Sequence, residues 1–213
     1  MKKHPIPNFP SARRTGLILG KAAALMLLAG VSELQAGTFS SDFNSGLPAG
    51  TTLFGNASVT AAGGVTNSGC LQLTTATASQ SSSFVITNEL DPGQTIASFR
   101  ASFKAYIGGG SGADGFSFNL ASDIAMTGFG EDGSGSGLTI AFDTFNNGAP
   151  DYAGVGIRMY GVESYSFPYN GLRTGTFVDV VIQYHPDTTV DVIYDGTYIC
   201  TNRSEDTRLN SSH

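Results

Sequence analysis

The sequence predicts an all-β domain with tight turns, and three observations predict it. Charged residues make up only 13% of the 213, too few for a coiled coil or a charge-driven disordered chain. Glycine stands at 28 of 213, about twice its usual ~7% share, and it clusters between short apolar runs. Several of those runs alternate apolar and polar residues with period two, the mark of a strand with one covered face. Trp is absent, so the 14 Phe and 8 Tyr must supply the large core side chains.

Residues 1–36 read as a secretory signal peptide. Lys2, Lys3, Arg13, Arg14 and Lys21 form the positive region. Residues 22–31 (AAALMLLAGV) are an apolar run of ten, half of the ~20 that a spanning helix needs. Ala36 offers a cleavage point, although Leu34 is larger than the usual residue three places before a cut. Arg13-Arg14 is twin-arginine-like, but its apolar flanks match that signal poorly. No later run is long enough to span a bilayer, so no membrane insertion of the mature chain is expected. A secreted or cell-surface location follows.

Removing five of the 11 basic residues and one of the 17 acidic ones with that segment leaves six against sixteen, a net −10. Such a surface repels phosphate backbones and anionic lipid heads, so nucleic acid is excluded as a partner. Neutral sugars and cations such as Ca²⁺ stay open. Cys70 and Cys200 have neither CxxC spacing nor clustered His. Export allows them a disulfide; two separate small buried residues are the alternative.

After an entry segment at 39–54, turn signals at Gly63-Gly64 and Ser68-Gly69 lead to a predicted strand at 70–74. A second, at 84–90, ends at Asp91-Pro92-Gly93. Residues 98–107 alternate most clearly: Phe99, Ala101, Phe103, Ala105 and Ile107 share one side. Glycine loops at 108–112 and 128–137 bracket a strand at 116–120. Leu138, Ile140 and Phe142 face one way on the next strand, and Thr139, Ala141 and Asp143 the other. Strands follow at 155–160, 177–184 and 189–194. Asp195-Gly196 then makes a hairpin to 197–201, because a type I′ turn needs two residues of positive φ. About nine strands at 8–12-residue spacing suit a sandwich. The domain therefore spans 37–201, with 202–213 a polar tail or an interrupted end.

Gly110–Gly115 formally fits GxGxxG, but it enters a strand where a dinucleotide site needs a helix. The informative segment is 138–151, LTIAFDTFNNGAPD. Asp143, Phe145 and Asn147 are two apart, so in an extended chain they share one side. The Gly148-Ala149-Pro150 turn could fold Asp151 back onto them. Two carboxylates, an amide oxygen and a backbone carbonyl are the hard oxygen ligands that Ca²⁺ prefers; a solvated polar turn is the plainer alternative.

Ala113-Asp114-Gly115-Phe116, followed some thirty residues later by Phe142-Asp143-Thr144-Phe145-Asn146-Asn147, resembles the legume-type (L-type) lectins. The likeness runs from about Phe39 to Thr201 and is specific in these two motifs. It implies a concanavalin A-like jelly-roll sandwich of two antiparallel sheets, and sugar binding beside a bound metal. By the same resemblance Asp114, after a cis peptide bond, would accept sugar hydroxyls. Asn147 would donate its amide, Phe145 would offer its ring, and Gly137 or a neighbour would offer an N–H. Asp143, the Phe145 carbonyl, Asn147 and Asp151 would hold Ca²⁺. The family's transition-metal ligands are replaced by Ala141 and Gly154, so no transition metal is expected. The chain stops soon after Thr201, so part of the family's binding rim and its last strands are expected to be missing.

Glycosidases share this sandwich and need two carboxylates ~5–9 Å apart. The matching strand here offers Ala141, Asp143 and Asn146, with no Glu. Asp191 and Asp195 fit a strand face and a turn, and Glu131-Asp132 a solvated loop. No catalytic residue is expected, and the chain is not read as an enzyme. The expected function is carbohydrate or glycoconjugate binding, with a single Ca²⁺ site. The alternatives are a structural or adhesive surface sandwich and, behind it, a glycoside hydrolase.

Overall fold

A computed structural model describes residues 36–110, 113–148, 153–160 and 162–203. The expected signal peptide, apart from Ala36, and residues 204–213 of the expected tail lie outside them. The fold is all-β: the described residues form twelve strands and a single 3₁₀ turn at Val65–Asn67. All pairings are antiparallel.

Two four-stranded sheets carry the core. One is built from β5 (Phe99–Ala105), β10 (Val178–Tyr184), β11 (Val190–Tyr194) and β12 (Thr197–Arg203), in the order β12-β11-β10-β5. The other runs β6 (Gly115–Leu120), β7 (Leu138–Asp143), β8 (Gly154–Met159), β9 (Val162–Pro168), in sequence order. Period-two alternation puts Val178, Val180 and Ile182 of β10 on the same side as Val190, Val192 and Tyr194 of β11. They meet Leu138, Ile140, Phe142, Val155, Ile157 and Met159 of the second sheet in one buried cluster. Rings bridge the two layers: Phe99 stacks on Phe118 at 5.7 Å, Phe103 meets Phe116 edge-on at 6.2 Å, and Phe142 lies 5.8 Å from Tyr194. The molecule is thus a β-sandwich, and its aromatic core replaces the missing Trp.

Three strands exceed the sequence expectation. β1 (Thr51–Gly55) pairs with β4 (Ser82–Ile86), and β2 (Ser58–Thr60) with β3 (Cys70–Gln72). The sequence around β1 and β2 is dominated by Thr, Ser and Gly, which hides their period. β9 is the third, an edge strand joined to β8 through an irregular register. β4 also ends earlier than expected and β12 runs two residues longer. The Asp195-Gly196 hairpin forms as expected, with φ of +49° and +71°.

Cys70 and Cys200 form no disulfide with each other. Cys70 lies beside the Thr60 hydroxyl at 3.1 Å in the β2–β3 pair, whereas Cys200 is buried in β12. They sit in different sheets and are not bridged to each other in the structure. Among the described residues no helix is long and apolar enough to cross a membrane.

Candidate functional site

β6 and β7 pair so that Gly115 faces Asp143. This register carries Asp114, one residue before β6, to the loop that follows β7. The Asp114 carbonyl accepts two hydrogen bonds from Thr144, from its N–H at 2.8 Å and from its hydroxyl at 3.0 Å. Only glycine fits at position 115, because a Cβ there would run into the Phe142 carbonyl. The Ala113–Asp114 peptide bond is cis, as the resemblance implies.

The loop itself differs from the sequence expectation. β7 ends at Asp143, and the chain then turns instead of continuing extended. Asp143 Oδ1 accepts the Phe145 N–H at 2.8 Å, and Asn146 Oδ1 accepts the Gly148 N–H at 2.8 Å. Two successive side-chain-to-backbone turns of this kind are what Asp and Asn favour after a strand. Phe145 and Asn147 therefore do not share one strand face with Asp143; the turns place them. Asp143 is 9% exposed, whereas Asp114, Phe145 and Asn147 are exposed. The buried carboxylate shapes the loop and the exposed groups remain accessible to a ligand.

Asp114, Asp143, Phe145 and Asn147 are thus gathered at one end of the second sheet. Gly137 is not. It precedes Leu138 at the opposite end of β7, where a Cβ would meet the Leu120 carbonyl. In the same loop the Gly130 carbonyl accepts the Ser117 hydroxyl of β6 at 3.3 Å. Asp151 lies outside the described residues. Among the described residues no three His, Cys, Asp or Glu side chains come together. At the positions of the expected family metal ligands, Ala141 is buried and Gly154 pairs directly with Asp143.

Two more loops share this end of the sandwich. Residues 169–177 link β9 to β10, and residues 106–114 link β5 to β6. They are stitched together by Gly175 N–H to the Ile107 carbonyl at 3.0 Å and Arg173 Nη2 to the Gly109 carbonyl at 2.8 Å. Buried Leu172 fixes the first of them, its carbonyl accepting the Tyr194 hydroxyl at 2.6 Å. Burial, above all, pushes the Tyr194 phenol up to about 12. Sequence reasoning missed this anchor; a lone Tyr ending an apolar strand was its only trace.

The glycine-rich segment 121–137 crosses the outer face of β6–β8. Asn119 Oδ1 accepts the Ser134 N–H at 3.0 Å and the Thr139 hydroxyl at 2.9 Å. Asp132 pairs with Arg158, and Asp123 accepts the Ser136 N–H at 2.7 Å. That backbone N–H first, and then the Ser136 hydroxyl, hold the Asp123 carboxyl below its usual 3.8. The sequence predicts a solvated Glu131-Asp132 loop, and the Asp132 side chain is 75% exposed while it pairs with Arg158. Asp191 lies 3.0 Å from His185 Nε2, and Asp195 forms the hairpin turn.

Neither the scan of protein-family models nor the search of curated proteins finds a match for this chain.

Proposed function

We propose that this is an exported, L-type lectin-like module of concanavalin A-like fold that binds carbohydrate non-covalently where Asp114 meets the 143–148 turn. The observation that carries the reading is the double hydrogen bond from Thr144 to the Asp114 carbonyl. It holds one exposed carboxylate beside the loop that presents an exposed aromatic ring and an exposed carboxamide. Sugar hydroxyls gain little net energy on exchanging water for protein, so groups fixed in advance are what make such binding possible.

The donor set suits Ca²⁺: the Asp143 carboxylate, the Phe145 carbonyl and the Asn147 carboxamide oxygen are hard oxygen ligands, and Asp151 would complete them. Bound there, the cation would neutralise the buried carboxylate and orient Asn147, leaving its amide hydrogens for a sugar. Asp114 would accept hydroxyl protons and the Phe145 ring would pack on a sugar face. One observation favours the rival, a structural or adhesive sandwich: Asp143 already serves the fold by accepting the Phe145 N–H.

Calorimetry with Ca²⁺ and a glycan array run with and without chelator separate the two. Saturable sugar binding that chelator and Asp143→Ala both abolish is the expected result. Sugar binding indifferent to both would remove the cation, and a silent array would leave the structural reading.

A further inference from the structure

At the other end of β7, a cleft of about 410 Å³ opens on the outer face, lined by Asp132, Gly133, Ser134, Gly135, Thr139 and Arg158. Its size falls within the ~300–1,000 Å³ of small-ligand sites, but no lining residue is aromatic or aliphatic. Arg158 Nη1 donates to the Asp132 carbonyl and Nη2 to Asp132 Oδ1, both at 2.6 Å. Its side chain is 25% exposed and that of Asp132 75%. The cleft therefore presents a fixed donor beside an accessible acceptor. The wall is glycine by necessity: at Gly133 a Cβ would enter the Asn119 carboxamide, and φ is +81° there and +88° at Gly135.

We propose that this cleft is a second saccharide subsite. An anion would meet the Asp132 carboxylate and a cation the Arg158 guanidinium, whereas a hydroxyl can donate to the first and accept from the second. Such charge-assisted bonds are the stronger kind. Thr139 and Asp143 lie four residues apart on the same side of β7, about 13 Å at the rise of a strand. The loop passes between them where Gly130 meets Ser117, so a single sugar ring cannot touch both places. A short oligosaccharide can reach over the loop from one to the other. The inference rests on the carbohydrate reading of the Asp114 site, whose ligand it lengthens.

The test is titration of the domain, in Ca²⁺, with mannose and glucose oligomers from mono- to pentasaccharide. Affinity for the bound series should rise about tenfold, the worth of a charge-assisted hydrogen bond, once the chain spans both sites. Asp132→Asn and Arg158→Lys should each remove that rise and leave the monosaccharide affinity within twofold. Amide shifts at Gly133–Gly135 should move with the long oligomers alone. Monosaccharide binding with no gain from length, or a gain that both variants keep, overturns the second subsite and spares the first. Failure of every mannose and glucose oligomer to bind overturns this subsite, and a silent glycan array overturns both.

Discussion

β7 and β10 are interior strands of the two facing sheets, and they differ on the side turned away from the core. β10 alternates: Val178, Val180 and Ile182 are buried, while Asp179 on the other side is exposed and pairs with Lys104. β7 is buried throughout, because Thr139, Ala141 and Asp143 are buried along with Leu138, Ile140 and Phe142. The inner faces follow one rule, apolar side chains excluded from water. The outer faces part company because a long glycine loop crosses β7 and nothing comparable crosses β10 among the described residues. The lesson is that the covered outer face is where polar groups collect: the proposed cleft at Asp132 and Arg158 lies on it, and the proposed Asp114 site lies at its end.

That contrast can be broken in graded steps. Phe142→Ala strikes the inner face, where the ring is fully buried and stacks on Phe116 at 4.6 Å. It should cost about 3–5 kcal/mol, read as a lower denaturant midpoint. Asn119→Ala unhooks the loop from β6 and strips the buried Thr139 hydroxyl of β7 of its acceptor. The expected loss is about 1–3 kcal/mol, with faster amide exchange across 121–137. A loss no larger than that from a bare surface position would mean that the loop does not depend on this anchor.

Tyr194→Phe removes the bond to the Leu172 carbonyl and should cost about 0.5–1.5 kcal/mol at neutral pH. It also carries a sign. Below pH 10 the phenol is neutral in both folded and unfolded chains. Above 10.0 the unfolded chain loses the proton first, since the folded value is about 12. Stability should therefore fall as pH rises from 10 towards 12, and the Phe variant should lack that part of the fall in alkaline unfolding curves. Lys104→Ala, on the uncovered face of the first sheet, deletes an ion pair whose side chains are 46% and 74% exposed. It should move stability by at most ~1 kcal/mol and less in high salt.

Much of the fold was legible because period two is written into single segments. The 98–107, 116–120 and 138–143 stretches each declare an inner side, and Asp195-Gly196 declares its turn. β1, β2 and β9 were illegible for a matching reason: Ser, Thr and Gly give no apolar period, and an edge strand needs little. For the candidate site, Phe145 and Asn147 could be singled out by type and spacing, and Asp114 only through the resemblance of its motif to the L-type lectins. The turn that places them could not, since whether Asp143 points to solvent or captures the Phe145 N–H depends on where β7 stops.

The linear chain alone determined the strand-rich class, the two-faced strands and the residue types able to hold hydroxyls or a hard cation, because alternation and chemical type are local properties. Tertiary structure decided which of those residues meet. The β6–β7 register put Asp114 beside Thr144 and sent Gly137 to the far end. The loop over β7 created the Asp132–Arg158 cleft. Both depend on hydrogen bonds between segments distant in sequence, and no local pattern encodes such pairings.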